Sequence, residues 1–408
     1  MDILVARQPI FDRRLHVCGY EILCRPGVRT DSDSGQRDHA SKRVIVNTFL
    51  LLGLDRVTSG KKAFINFTQR LLLNGIGFNL PKDLIVIEIL EDVVPDKDLI
   101  QVCSKLRAAG YMLALDDFVL ANDALKPFLE MVDILKVDFR ENSDLEKRII
   151  AENLTGTRIK LLAEKVETRA EFNLGLEAGY EYFQGFFFQK PEIIPGKDIP
   201  GYKLNHLKLL QEVNREDIKY DALSETISRD VSLSYKLLNY INSAYFGMRQ
   251  QVQSVGHAIM LLGNNEIRKW ASLVLLMGLG ADKPEELLLT SLIRANLCES
   301  LAKYMRLKGR ESELYMLGLL SLIDVLVGRP LIEIMHDLPL GRDIKLALGG
   351  ERNKYKDILD LVLNYEKANW IALQNGLDQV NVKFDDIAEV YLSSIDRAQK
   401  GLGFAGLY

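Results

Sequence analysis

The chain has 408 residues, of which 48% are hydrophobic and 26% are charged, and its formal net charge is −4. This length exceeds one ordinary hydrophobic core and predicts about two globular domains. The lack of an overall basic charge argues against a protein whose main task is to wrap nucleic acid, and leaves only local contacts open.

The N-terminus and the cysteines predict a cytoplasmic protein. The first residues, MDILVARQPIF, lack the basic-then-apolar order of an export signal. No uninterrupted apolar run reaches the roughly 18 residues that a transmembrane helix needs. Cys18, Cys24, Cys103 and Cys298 are scattered without a CxxC pair, so we expect reduced thiols.

Short aliphatic runs in the first half of the chain predict buried parallel strands. Eight strands are predicted, at residues 4–11, 17–25, 63–67, 84–90, 112–118, 134–139, 160–164 and 182–188. Helical segments separate most of them, and the last strand, which carries Gln184, is expected to close a TIM-like (β/α) barrel. Roughly 190 residues is short of the usual ~250 for this fold, so some units should be trimmed.

Polar side chains stand at or near the ends of these runs. They are Glu21, Asn66, Glu88, Asp116 with Asp117, Lys136, Glu164 and Gln184. Because active sites gather at the C-terminal face of such a barrel, we expect these side chains to converge on one mouth. Carboxylate and amide oxygens are the ligands that Mg²⁺ and Mn²⁺ prefer, so the sequence predicts a divalent-cation site there.

A change of composition near residue 190 predicts the domain boundary. Residues 189–203 hold three prolines and two glycines, a density that ends regular structure. We therefore predict a barrel domain at 1–190, a linker at 191–203 and an all-helical domain at 204–408. Helix starts are predicted at Asp221, Ser254 and Pro284, the last of which is followed by two glutamates that suit the helix dipole.

Short motifs follow one another in a fixed order along the first half. They are Gln8-Pro9-Ile10, Glu21-Ile22-Leu23 followed by Arg25, Ile65-Asn66-Phe67-Thr68, Glu88-Ile89-Leu90-Glu91, Asp116-Asp117-Phe118, Leu135-Lys136-Val137-Asp138, Ala163-Glu164-Lys165-Val166-Glu167-Thr168 and Gln184-Gly185. The set resembles the EAL domain, a bacterial phosphodiesterase module that hydrolyses cyclic di-GMP, whose Glu-Ala-Leu corresponds to Glu21-Ile22-Leu23. One such triplet is weak evidence, whereas the ordered set across residues 1–190 is specific.

The resemblance implies a role for each of these side chains. The implied ligands of two Mg²⁺ or Mn²⁺ ions are Glu21, Asn66, Glu88, Asp116 and Asp117. The implied catalytic or orienting groups are Lys136, Glu164, Glu167 and Glu91, and the implied substrate contacts are Gln8, Arg25 and Gln184. Taken singly, such an acid is usually a cap or loop partner, Lys136 could be a salt-bridge residue, and Gln8, Arg25 and Gln184 could be hydrogen-bonding residues of the rim.

Two departures from the family pattern bear on activity. After Asp-Asp-Phe the family continues Gly-Thr-Gly, whereas this chain has Val119-Leu120-Ala121, for which glycine conformations are costly. Lys165 replaces the glycine after Glu164. Since the ligands survive and their supporting loop does not, we expect binding of cyclic di-GMP to be better kept than its hydrolysis.

Two stretches of the second half form a pattern, residues 228–247, SRDVSLSYKLLNYINSAYFG, and residues 254–263, SVGHAIMLLG. This pattern resembles the HDOD domain, a non-catalytic relative of the HD metal phosphohydrolases. His336-Asp337 is an HD dipeptide, but this half has only two further histidines, His206 and His257, and a working metal site needs more ligands. We therefore interpret His336 as a surface or capping residue and expect no cofactor in this domain.

Two functions remain open from the sequence. The first is a metal-dependent phosphodiesterase that opens cyclic di-GMP to linear pGpG, with the helical domain recruiting a signalling protein. The second is a receptor that binds cyclic di-GMP without cleaving it and signals through the helical domain. Either protein could be a homodimer, and no membrane partner is expected.

Overall fold

The computed structural model describes residues 5–24, 54–120, 123–190, 220–243, 246, 250–338, 340–380 and 382–404. Contacts divide the chain into two compact units. The first is Met1–Lys190 with Asn364–Gln374, and the second is Pro191–Leu363 with Asn375–Tyr408. Arg25, the polar stretch at 26–38 and the predicted linker at 191–203 lie outside the described residues.

Eight strands close into a barrel, which confirms the predicted architecture. They are β1 Val5–Asp12, β2 Val17–Cys24, β3 Lys62–Phe67, β4 Ile85–Ile89, β5 Met112–Phe118, β6 Ile134–Asp138, β7 Lys160–Glu164 and β8 Tyr182–Gln184. Each pairs with the next in chain order, and β8 returns to β1. From β2 to β8 the pairs are parallel, as the short aliphatic runs predict.

The first strand corrects the expectation of an all-parallel barrel. β1 is antiparallel to both β2 and β8. The reason is the connection between β1 and β2, which is a tight turn closed by backbone hydrogen bonds from Leu15 N to Asp12 O (3.0 Å) and from Asp12 N to His16 O (2.9 Å). A parallel pair needs a crossover of about a dozen residues or more, so this turn permits only an antiparallel pair.

The last strand is shorter than predicted. β8 stops at Gln184, and Phe187–Gln189 form a 3₁₀ turn. Gly185, at φ +147°, redirects the chain so that the backbone on either side of it hydrogen-bonds to Val166. The two phenylalanines then pack as aromatic pairs, Phe187 on Phe172 at 4.9 Å and Phe188 on Phe11 at 4.7 Å between ring centroids. Their apolar side chains made the strand look longer in the sequence than it is.

Short helices connect the strands. They are α1 Leu54–Thr58, α2 Gln69–Leu73, α3 Lys97–Ala108, α4 Asp144–Leu154 and α5 Arg169–Ala178. α4 and α5 begin at complete capping boxes, formed by Ser143 with Glu146 and by Thr168 with Glu171. Between β5 and β6 the described residues contain a 3₁₀ turn, Asp123–Phe128, where a full barrel has a helix. The trimming expected from the length is found here.

The described residues of the second unit form helices joined by turns and short loops. The helices are α6 Tyr220–Ser228, α7 Val231–Ile241, α8 Val255–Leu279, α9 Glu285–Leu301, α10 Glu311–Leu319, α11 Ile323–Val327, α12 Leu331–Asp337, α13 Arg342–Leu348, α14 Lys354–Glu366, α15 Trp370–Val380 and α16 Phe384–Phe404. Two of them, α14 and α15, contain residues of both units. Ser254 caps α8 and Pro284 precedes α9, as predicted. None of the helices in the described ranges is long and apolar enough to span a bilayer.

Gly185→Ala tests the turn that ends the barrel. A Cβ at this position would lie 2.0 Å from Val166 O and 2.5 Å from Val166 N, so the backbone must move. We expect a loss of about 2–4 kcal/mol in the free energy of unfolding, measured with urea. Gly156→Ala is the matched control, because Gly156 also has a positive φ but its Cβ would meet nothing within 4 Å. It should cost about 1 kcal/mol, and equal losses in the two variants would contradict the steric account.

Candidate functional site

The barrel interior has two layers that follow from the period-two geometry of strands. The lower layer is an apolar cluster of Ile10, Phe64, Val86, Ala114, Ile134 and Leu162. Two residues further along each parallel strand, side chains point the same way, and these are Asn66, Glu88, Asp116, Lys136 and Glu164. On antiparallel β1 the equivalent residue comes two positions earlier, at Gln8. The strand-end polar residues of the sequence therefore form one layer at the barrel mouth.

Lys136 lies at the centre of this layer. Its side chain is 0% exposed, and its Nζ lies 2.6 Å from Asp116 Oδ1, 2.7 Å from Glu88 Oε1 and 2.9 Å from Glu164 Oε1. Glu21 Oε2 is at 3.6 Å. One buried ammonium thus contacts carboxylates from four other strands.

Amide side chains complete the ring on the side of β1, β3 and β8. Gln184 Nε2 donates to Glu21 Oε2 at 2.6 Å and to Gln8 Oε1 at 3.1 Å. Asn66 Nδ2 donates to Glu21 Oε1 at 3.3 Å. Glu21 is therefore held by two amides, and Gln8 and Gln184 belong to the same network as the acids.

A β-bulge brings both aspartates of Asp-Asp-Phe to the mouth. The register of β5 against β6 shifts between Leu115 and Phe118, so that Asp116 and Asp117 together oppose Lys136. In a regular strand, neighbouring side chains point to opposite faces. The extra residue and the positive φ of Asp117, +43°, remove that alternation. Atoms of Asp116, Asp117 and Glu164 lie within 4.8 Å of one another, a spacing that can hold a metal ion.

Several buried oxygens of this layer have no hydrogen-bond partner. They are Asn66 Oδ1, Glu88 Oε2, Glu164 Oε2 and Gln184 Oε1. A buried acceptor without a donor is costly. All four are hard oxygen ligands, the type that Mg²⁺ and Mn²⁺ select. The residues present therefore fit a divalent cation.

The charges of the side chains in the mouth also fit a bound divalent cation. Burial raises the pKa of Glu88 and of Glu164 well above the usual glutamate value, and the neighbouring carboxylates add to the effect of burial. Burial alone would lower the pKa of Lys136, but the carboxylates around it hold that pKa well above its usual value. Lys136 is thus a permanent cation among more carboxylates than it can neutralise, and bound cations would offset the excess.

Glu91 and Glu167, two of the implied catalytic acids, lie at the rim rather than against Lys136. Partial burial, and after it the charges of Asp116 and Asp117, raise the pKa of Glu91. Glu167 forms ion pairs with Arg140 and, at 3.1 Å, with Lys190. Both acids therefore lie around the mouth, where they can orient the side chains at its edge.

The loop after Asp-Asp-Phe starts without backbone strain. Neither Val119 nor Leu120 has a positive φ. Asn142 anchors this segment, because its Oδ1 accepts from Leu120 N at 3.1 Å and its Nδ2 donates to Phe118 O at 3.1 Å. Of the two positions where the family has glycine, Val119 thus follows a route that needs none, and Ala121 lies outside the described residues. Nothing in the sequence marked Asn142 as the anchor of this segment.

The motif residues of the helical unit close helix ends. Asp230 caps α7 through Ser232 N and Leu233 N. Asn242 binds Val252 through both backbone groups, at 2.7 and 2.8 Å. His336 is exposed in the last turn of α12. Within the described part of this unit no three His, Cys, Asp or Glu side chains come close enough to hold a metal.

A cavity of about 120 Å³ inside the helical unit was not foreseen from the sequence. Four of its charged lining residues are paired with one another: Glu299 contacts Lys269 at 2.5 Å and Arg397 at 3.1 Å, and Lys269 also contacts Glu266 at 3.1 Å. Most of these partners are far apart in the chain, so no local motif could reveal them.

Comparison with known proteins identifies both halves. The EAL domain model matches residues 59–191, and the HDOD domain model matches residues 200–332. The uncharacterized protein YuxH of Bacillus subtilis is 37% identical over 406 residues, 97% of this chain and 98% of YuxH. The chain belongs to the EAL-HDOD family.

A second EAL-HDOD relative carries a functional name. The cyclic di-GMP phosphodiesterase CdgJ of Vibrio cholerae is 33% identical over 388 residues, 94% of this chain and 90% of CdgJ. The EAL model begins only at residue 59, so it leaves out β1 and β2 with Gln8 and Glu21. The structure nevertheless brings both residues into the mouth.

Solved structures with EAL domains show a weaker likeness. The manganese and cyclic di-GMP complex of Klebsiella pneumoniae BlrP1 is 24% identical, with 46% of this chain and 55% of BlrP1 covered and a TM-score of 0.39. Bacillus subtilis YkuI, in complex with cyclic di-GMP and calcium, is 19% identical, with 56% and 71% covered and a TM-score of 0.39.

Lys136→Met tests the central ion cluster. The change leaves four buried carboxylates without their cation, so the metal-free protein should lose about 3–5 kcal/mol of unfolding free energy. Thermal unfolding in EDTA and in Mn²⁺ measures this, and Mn²⁺ should restore part of the loss. Lys160→Met, on the same sheet with a side chain 47% exposed, should cost at most about 1 kcal/mol. Equal losses in EDTA would contradict the assigned role of Lys136.

His336→Ala tests the HD dipeptide. Because His336 is exposed and stands in no described metal cluster, the variant should bind as much Mn²⁺ or Zn²⁺ as the wild type in equilibrium dialysis. A drop of one ion per chain would show a metal site in the helical unit and refute our interpretation.

Proposed function

We propose that the barrel binds cyclic di-GMP and hydrolyses it to linear pGpG with divalent cations, and that the helical domain regulates this activity or connects it to a signalling protein. The observation that carries the proposal is the convergence of eight polar side chains from all the strands on one mouth, with four unpaired buried oxygens. The activity for which CdgJ is named, in a relative over nearly the whole chain, supports the same reaction.

The mouth provides ligands for more than one cation. Asn66, Glu21 and Glu88 are adjacent on β3, β2 and β4, whereas Asp117 and Glu164 lie on the other side of Asp116. Asp116 is placed to serve both sides. When bound, two divalent cations stabilise the charge that develops on the attacking and leaving oxygens of a phosphodiester.

Lys136 and Glu164 are the groups that can handle charge and protons. Lys136 keeps its proton, so its ammonium can hold Glu88, Asp116 and Glu164 in position and offset negative charge on the reacting phosphate. Glu164 Oε2 has no partner, and burial raises the pKa of this carboxyl. In the reaction the attacking water gives up a proton and adds to phosphorus, and the leaving sugar oxygen takes up a proton as its bond to phosphorus breaks. Glu164, beside the cation ligands, can relay a proton between these two oxygens.

Gln8, Gln184 and Arg25 are the proposed substrate contacts. Gln184 uses its amide nitrogen for Glu21 and Gln8, which leaves its carbonyl oxygen free to accept from a ligand or water. Arg25 follows directly after β2 in the chain, and its guanidinium suits a phosphate. The proposed contacts would thus add phosphate recognition to the cation ligands of the mouth.

The receptor hypothesis stays as the second candidate, because one observation favours it. The family has glycine at position 165, whereas this chain has a lysine. Lys165 Nζ donates to Oδ1 of Asp117, an implied metal ligand, at 2.8 Å. A site that loses one cation would still bind the dinucleotide but cleave it slowly.

Asp116→Asn tests the enzyme hypothesis. The substitution keeps the volume but removes a charged ligand that serves both sides of the mouth, so we expect turnover of cyclic di-GMP in Mn²⁺ to fall by at least about 10²-fold. Chromatographic separation of cyclic di-GMP from pGpG measures the rate.

Asp144→Asn is the matched control for this experiment. Asp144 is an exposed aspartate at the start of α4, paired only with Lys147 among the contacts described, and its variant should cleave at the wild-type rate. Unchanged hydrolysis in Asp116→Asn, with a normal circular dichroism spectrum, would contradict the proposed site. Binding without hydrolysis in the wild type would establish the receptor instead.

A further inference from the structure

Lys165 occupies a backbone position that disfavours its side chain. It follows Glu164 at the end of β7 and has a φ of +54°, in the left-handed region. A residue with a Cβ pays a steric cost there, and glycine does not. Some interaction of the lysine side chain must offset this cost.

The lysine side chain turns its ammonium into the mouth. Nζ lies 2.8 Å from Asp117 Oδ1 and 2.5 Å from Asp138 Oδ2. Asp138 is fixed, because it is 2% exposed and its other oxygen accepts from Arg140 N at 2.6 Å and Glu141 N at 3.0 Å. The ammonium is therefore held between one rigid carboxylate and one that belongs to the mouth.

The partner Asp117 is also one of the three carboxylates spaced to hold a metal. Asp116, Asp117 and Glu164 place ligand atoms within 4.8 Å of one another, and Glu164 Oε2 is buried without a partner. A divalent cation bound there would lie close to the Lys165 ammonium. Like charges at such a separation repel strongly, and both need Asp117.

We propose that Lys165 is a resident cation that competes with the outer of two divalent ions, so that the outer ion binds only by displacing the ammonium from Asp117. This inference rests on the proposed metal centre. The side chain is 44% exposed, so its flexible stem can swing into solvent when the ion arrives. The inner part of the mouth, with Glu21, Asn66 and Glu88, does not touch Lys165 and keeps its affinity. The residue thereby sets the cation concentration at which the site fills.

Counting bound Mn²⁺ tests the proposal without relying on activity. The electron paramagnetic resonance signal of free Mn²⁺ reports the number and affinity of sites on the full-length protein. We expect the wild type to bind one ion tightly and a second at least about tenfold more weakly. Lys165→Gln, which removes the charge and keeps the stem, should tighten the second ion by about tenfold or more.

Three further variants distinguish the effect of the Lys165 ammonium from the effects of the backbone conformation at position 165 and of the total charge of the protein. Lys165→Gly should match Lys165→Gln in affinity, since both remove the ammonium, whereas Lys165→Arg should keep the weak second site. Lys160→Gln makes the same change in net charge at the start of the same strand, where its partner is Glu181, and should leave both affinities unchanged within roughly twofold.

The possible failures are distinguishable. If the first ion binds but Lys165→Gln leaves the second unchanged, or if only Lys165→Gly tightens it, the resident-cation proposal is wrong and the metal centre stands. Two equally tight ions in the wild type would also refute the resident cation while leaving the metal centre in place. If no variant binds Mn²⁺, the metal centre and this inference both fail.

Discussion

The barrel mouth is organised by one buried ammonium among too many carboxylates. Lys136 contacts Glu88, Asp116 and Glu164 within 2.9 Å and has Glu21 at 3.6 Å. A single positive charge cannot satisfy four carboxylates in a buried place. Burial, and after it the neighbouring carboxylates, raises the pKa of Glu88 and of Glu164 even though Lys136 acts to lower it. The metal-free mouth is therefore a strained arrangement that bound cations would relieve.

Strand geometry explains how so much polar material reaches one place without weakening the core. Each inward-facing apolar residue of the lower layer lies two positions from a polar residue of the mouth, as Val86 does from Glu88 and Ile134 from Lys136. The apolar layer fills the barrel interior beneath the charged side chains of the mouth. The bulge at Asp116 and Asp117 then adds one carboxylate more than regular alternation allows.

Much of this could be predicted from the sequence because it depends on local order. A polar residue that ends an aliphatic run marks both the strand and its mouth, which is why Glu88, Lys136 and Glu164 could be assigned to one layer in advance. The direction of β1 was missed because apolar runs carry no direction, although the short turn after it does. The contacts of Asn142 with Leu120 and of Arg397 with Glu299 join residues far apart in the chain, and no spacing rule reveals them. The sequence shows that Lys165 departs from the family's glycine, but it does not show that the lysine contacts Asp117 and Asp138.

The most direct test of this account is a crystal structure with Mn²⁺, solved with anomalous scattering from the metal. The account predicts an anomalous peak at the barrel mouth, with Asn66 Oδ1, Glu88 and Asp116 among its ligands and with Lys136 Nζ shifted away from Glu88. A mouth that shows no peak at millimolar Mn²⁺, with Lys136 still bridging Glu88 and Asp116, would contradict it.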